Sequence, residues 1–109
     1  MTEQRKGRKL SVYVNETDRI HGRPVYEAVM EALSKRKIAG ISVFRGIEGY
    51  GGDRVFHSAK VLELSTSLPV KIEAVDETEK IQAVIDEVAA VVEKGLITVS
   101  ETSLVSRSG

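Results

Sequence analysis

The chain contains no cysteine and no tryptophan. Without a thiol there is no disulfide, no thiolate nucleophile, no zinc–sulfur centre and no iron–sulfur cluster. The only aromatics are Tyr13, Tyr26, Phe44, Tyr50 and Phe56, so the core has to be built from Val, Ile, Leu and Ala. An excess of charge is also missing. Lys plus Arg and Asp plus Glu both number 16, which leaves a formal net charge of zero. Such a chain has no global field drawing it to nucleic acid or to an anionic membrane, and little that keeps copies of itself apart. No apolar run approaches the roughly 18 residues of a membrane helix, and the first residues lack the apolar centre of a signal peptide. The expectation is a cytoplasmic protein that does not itself span a membrane.

What is present suffices for one domain. The chain has 109 residues, 41% of them hydrophobic, which suits a single packed core. Residues 1–8, with Arg5, Lys6 and Arg8, are expected as a flexible basic tail. The domain then covers 9–101, and residues 102–109 form a flexible polar tail.

Periodicity places the elements. Leu10, Val12 and Val14 alternate with Ser11 and Tyr13, the period of a half-buried strand over 10–14. Pro24 opens a helix in which Val25, Ala28, Val29, Ala32 and Leu33 recur at helical spacing, with Gly40 as its stop. A second strand covers 41–47, with Arg45 on the face of Ile41 and Val43 and Phe44 on the other. Residues 48–54 read as an irregular glycine-rich loop, and a third strand follows over 56–64. A fourth strand covers 70–75. Asp76 reads as the cap of a second helix, with Glu79 three residues on, and Ile81, Val84, Ile85, Val88 and Val92 as its apolar stripe. Gly95 ends that helix, and a last strand covers 96–100.

Two strand–helix–strand units joined by a hairpin make an α+β, ferredoxin-like plan of the βαββαβ type, with two helices on one face of an antiparallel sheet. The other face carries Tyr13, Phe44 and Val75 with no helix to cover it, which points to an oligomer.

The residues with chemistry to offer are few. Gly46, Gly49, Gly51 and Gly52 make 46–52 either a loop whose N–H groups bind an anion or a tight hairpin turn. No dinucleotide or P-loop fingerprint is present. Arg45, between apolar strand neighbours, needs a carboxylate or a ligand phosphate as partner, and Glu48 is the nearby carboxylate. Tyr50 at the loop tip either docks into a partner or folds back on the sheet. Glu16, Asp18 and His21 either support the first helix or, with His57, gather on a divalent metal. Sequence spacing supplies no nucleophile, base and orienting acid together, so catalysis is not expected.

Several segments carry a resemblance. They are residues 10–18 (LSVYVNETD), 21–26 (HGRPVY), 40–51 (GISVFRGIEGYG), His57, 68–70 (LPV) and the helix from Glu77 to Lys94-Gly95-Leu96. Together these resemble domain of unknown function 190, an uncharacterised PII-like family. The resemblance implies a homotrimer similar to PII and CutA-type proteins, with a small anionic effector, a nucleotide being the candidate, at intersubunit clefts. It implies effector contacts by Arg45, Gly46, Glu48, Gly49, Lys94 and Gly95, and signalling to a protein target through loop 46–54, with Tyr50, Gly51 and Gly52 facing the target. Which subunit supplies Lys94 and Gly95 is left open. A CutA-like divalent-metal trimer using Asp18, His21 and His57 is the alternative. Two departures go with the resemblance: the turn after the second helix is reduced to 93–95, and loop 48–54 is short for a PII effector loop.

Overall fold

Alternating apolar residues dictate the strands of the central sheet, and the computed structural model describes residues 1–50, 56–58 and 67–107 of the chain. The elements are β1 (Thr2–Asn15), β2 (Arg19–Ile20), β3 (Arg23–Pro24), α1 (Val25–Lys35), β4 (Gly40–Arg45), β5 (Glu48–Tyr50), β6 (Phe56–Ser58), β7 (Pro69–Glu77), α2 (Thr78–Val91) and β8 (Leu96–Arg107). The main sheet has the antiparallel order β4-β7-β1-β8. With β4 and β7 as the second and third strands of the motif, this is the ferredoxin-like order expected from the sequence.

The two helices lie on one face. Leu10, Val12, Ile72 and Ala74 from the sheet meet Val29 and Leu33 of α1 and Ile81, Val84 and Val88 of α2, and all are essentially inaccessible to solvent. Burying each of the larger side chains stabilises the fold by roughly 1.5–3 kcal/mol before conformational entropy is counted. The opposite face carries the row Phe44, Lys71, Tyr13 and Leu96, one residue from each strand in register. Phe44 and Leu96 are exposed and Tyr13 is 38% exposed.

Four local expectations are corrected. The terminal segments read as tails are strands: β1 begins at Thr2, β8 runs to Arg107, and the two pair from Thr2↔Arg107 to Tyr13↔Leu96. Backbone hydrogen bonds between distant segments hold this ribbon together, and a polar composition does not reveal them. Secondly, Glu48–Tyr50, read as irregular loop, is strand β5, paired with β6 from Glu48↔Ser58 to Tyr50↔Phe56. The rest of the expected third strand, together with Gly51 and Gly52, lies outside the described residues. Thirdly, α1 ends at Lys35, with Lys37 at φ 54, so the chain turns before Gly40, which opens β4.

The fourth correction concerns Asp76. Asp76 does not cap α2 from outside but sits within β7, 5% exposed. Its Oδ2 accepts the Ala39 N–H at 2.9 Å and its Oδ1 the Glu77 N–H at 2.6 Å, while Lys80 Nζ lies 3.4 Å from Oδ2. Burial alone would push this carboxyl up, but the two backbone donors and Lys80 outweigh it and hold the group below its ordinary value. Asp76 thereby ties the end of β7 to the α1–β4 connection. Among the described residues, no helix is long and apolar enough to cross a membrane.

Candidate functional site

At the opposite end of β7 the sheet opens into a cleft of about 660 Å³. Its apolar lining comes from Tyr13, Val14, Phe44, Pro69, Val70 and Leu96, and its charged groups are Asp18, Arg45, Glu48, Lys71 and Lys94. Three cations against two carboxylates leave the lining with one excess positive charge. All six residues assigned to effector contact (Arg45, Gly46, Glu48, Gly49, Lys94 and Gly95) line this cleft, and a single chain brings them together. Within one chain, then, Lys94 and Gly95 already stand on the same cleft as Arg45 and Glu48.

The backbone explains the convergence. Gly46 follows β4 directly and donates its N–H to the Pro69 carbonyl at 2.7 Å, so the base of the β5–β6 ribbon is tied to the entrance of β7. A Cβ on Gly49 would come within 2.9 Å of the Pro69 ring, so only glycine lets the ribbon lie this close. On the far side Gly95 has φ +140, and a Cβ there would stand 2.4 Å from the Tyr13 carbonyl oxygen. This glycine seats the short connection after α2 directly on β1 and carries Lys94 to the cleft.

Arg45 has a partner, and it is not the carboxylate nearest in sequence. Its Nη2 donates to Glu16 Oε1 at 2.9 Å, within the chain, while Glu48 stands separately on the rim. Glu16 is itself placed by its backbone, whose N–H donates to the Leu68 carbonyl at 2.8 Å. Proximity in sequence favoured Glu48; the antiparallel pairing of β7 with both β1 and β4 brings Glu16 to Arg45 instead.

Lys71 belongs to the cleft but was not singled out from the sequence. Its Nζ lies 5.9 Å from the centroids of both Tyr13 and Phe44 and 3.0 Å from Glu73 Oε2. The hydrogen bond to Glu73 raises the ammonium pKa, and partial burial opposes it less strongly. Its flanking by Tyr13 and Phe44 across the sheet was a usable signal, because all three alternate onto the helix-free face. Lys94 is exposed and, among the described residues, makes no ion pair.

Of the metal alternative, only Asp18 and His21 have described side chains. Asp18 Oδ2 accepts the Asn15 N–H at 2.9 Å, which commits it to the turn after β1, and His21 occupies the β2–β3 turn at φ 49. Among the described residues no group of three or more His, Asp or Glu could hold a metal ion. The side chains of His57 and Tyr50 lie outside the described residues.

Comparison with known proteins agrees with this architecture. Residues 7–104 match the DUF190 family, described as Uncharacterized ACR, COG1993. A UPF0166 protein of Aquifex aeolicus is 33% identical over 100 residues, covering 92% of this chain and 94% of the relative. The UPF0166 protein MJ1524 of Methanocaldococcus jannaschii is 35% identical over 97 residues, covering 88% and 89%. Among solved structures, CPII from Thiomonas intermedia K12, a nitrogen regulatory PII-like protein bound to ADP, AMP and bicarbonate, superposes with a TM-score of 0.71 at 13% identity, covering 94% of this chain and 91% of that one. Arabidopsis thaliana PII bound to citrate gives a TM-score of 0.55 at 24% identity, covering 87% and 76%. At these identities the structures speak for the fold, which is PII-like and ferredoxin-like. The family match over nearly the whole domain, and relatives a third identical along their length, place this chain in the DUF190 (UPF0166) family.

Proposed function

We propose that this protein is a PII-like regulatory module that binds a small anionic effector, a nucleotide first among the candidates, in the cleft at the β7 entrance. The observation that carries the reading is the convergence of Arg45, Gly46, Glu48, Gly49, Lys94 and Gly95 on one partly apolar cleft. Lys94 offers an ammonium with no ion pair among the described residues, and Arg45 a planar fork for a phosphoryl or carboxylate group. The cleft has the size and mixed lining of a small-molecule site. That PII-like CPII binds ADP, AMP and bicarbonate supports the choice of probes.

The working unit in this reading is a homotrimer, with the exposed row of Phe44, Tyr13 and Leu96 covered by neighbouring copies and the cleft completed between them. The β5–β6 ribbon, anchored at Gly46, reports occupancy to a protein target. Its role is regulatory rather than catalytic, because the lining supplies binding groups.

Light scattering after size-exclusion chromatography should return three times the chain mass. On that species, titration with AMP, ADP, ATP and cyclic AMP should give saturable heat and a raised melting temperature for at least one. Lys94→Ala should weaken that binding by about tenfold, the usual worth of a charge-assisted hydrogen bond. A confirmed trimer that none of the four stabilises would end the nucleotide reading.

A further inference from the structure

Arg45 is the cation best shaped to grip an anion in the cleft, yet its guanidinium already has a carboxylate partner. Its guanidinium donates to Glu16 at 2.9 Å. Its side chain is 60% exposed and that of Glu16 only 27%, so the carboxylate is the sheltered partner and the arginine the one facing solvent. Glu16 is held by its own backbone hydrogen bond to Leu68, and Arg45 sits one residue before Gly46, which is held to Pro69. The two residues thus approach the β7 entrance from opposite sides, and their ion pair bridges it.

Resting on the proposed function of this cleft, we infer that Glu16 is an internal competitor for Arg45, a stand-in anion that an effector must displace. An exposed pair of this kind is weak enough to exchange, and a phosphoryl group offering two oxygens to the guanidinium fork outcompetes a single carboxylate contact. Glu16 therefore sets the threshold of the site. It lowers affinity for every anion that depends on Arg45 and disfavours those too weakly charged to take the arginine over. Displacement also removes the bridge across the β7 entrance, which is where the base of the β5–β6 ribbon is tied.

The test compares ADP and adenosine on the trimer by calorimetry, in the wild type, Glu16→Gln and Arg45→Gln. Glu16→Gln keeps the side-chain shape and removes the charge. ADP should bind it about fivefold more tightly than wild type, the upper range for an exposed pair. Adenosine, which carries no phosphate, should bind both alike, whereas a merely structural role for Glu16 would move both ligands together. Arg45→Gln should lower ADP affinity. If the wild type binds ADP and Glu16→Gln binds it equally or less well, the competitor role is overturned and the proposed function stands. If ADP binds neither the wild type nor Glu16→Gln while AMP, ATP or cyclic AMP binds the wild type, the proposed function stands and the same comparison with that nucleotide decides the competitor role; if none of the four binds either protein, both fall. Glu16→Ala, checked by melting, repeats the comparison should Glu16→Gln fail to fold.

Discussion

Strand β7 has a carboxylate-based junction near each end, and the two are built differently. At its C-terminal end Asp76 is almost wholly buried and holds two backbone N–H groups and Lys80. At its N-terminal end the Glu16–Arg45 pair lies on the rim of a cleft, with the arginine largely in solvent. A buried carboxylate that satisfies otherwise unpaired donors is costly to disturb, while an exposed ion pair is cheap to exchange. The same chemistry serves as a fastening at one end and, in our reading, as a replaceable contact at the other.

The contrast can be broken at the Asp76 end first. Asp76→Ala leaves the Ala39 and Glu77 N–H groups without their partner, and a loss of about 3 kcal/mol is expected, each orphaned donor costing roughly 1–3 kcal/mol. The urea midpoint measures it. Next in size is Gly95→Ala, where a positive φ and a Cβ 2.4 Å from the Tyr13 carbonyl together should cost about 2 kcal/mol. Because Gly95 also shapes the cleft, a melting curve paired with ADP titration reads both consequences.

Acid provides a milder probe. Asp76 is held below its ordinary value of 3.8, so the folded state takes up its proton less readily than the unfolded chain. Its contribution is therefore fully present above 3.8 and lost as pH falls through that value toward the lower folded one. The stability difference between wild type and Asp76→Ala should accordingly narrow between about pH 5 and pH 2. A gap that stays constant over this range would contradict the assignment. The smallest effect on stability is expected at the other junction: Arg45→Gln should shift unfolding by no more than about 0.5 kcal/mol, as exposed pairs do, while weakening ADP binding. A large loss of stability on that substitution would erase the distinction between the two junctions.

Much of this architecture was legible in local pattern. The stripe Ile81, Val84, Val88 and the alternation Leu10, Val12, Val14 name core residues correctly, because burial of one face imposes its period on the sequence. The helix-free face, with Tyr13 and Phe44 opposite the helices, followed from the same alternation. The six candidate contact residues follow from resemblance rather than from period, and all of them line one cleft.

What could not be read was pairing between segments far apart in the chain. Residues 2–7 are polar, and the adjacent pair Leu104 and Val105 in 102–107 makes no alternating stripe, so neither segment announces a strand, although their backbones pair. Asp76 looked like a helix cap because Glu79 follows at the right spacing, yet one of its two backbone contacts, Ala39, lies 37 residues away. Glu48, three positions on, is the carboxylate nearest Arg45 in the sequence, and the fold pairs Arg45 with Glu16, 29 positions back. By itself, then, the sequence determined which residues are buried and which helices form, since those answer to spacing within a few residues. Which carboxylate faces which cation was decided by the tertiary structure, because strand register sets those distances and separation along the chain does not.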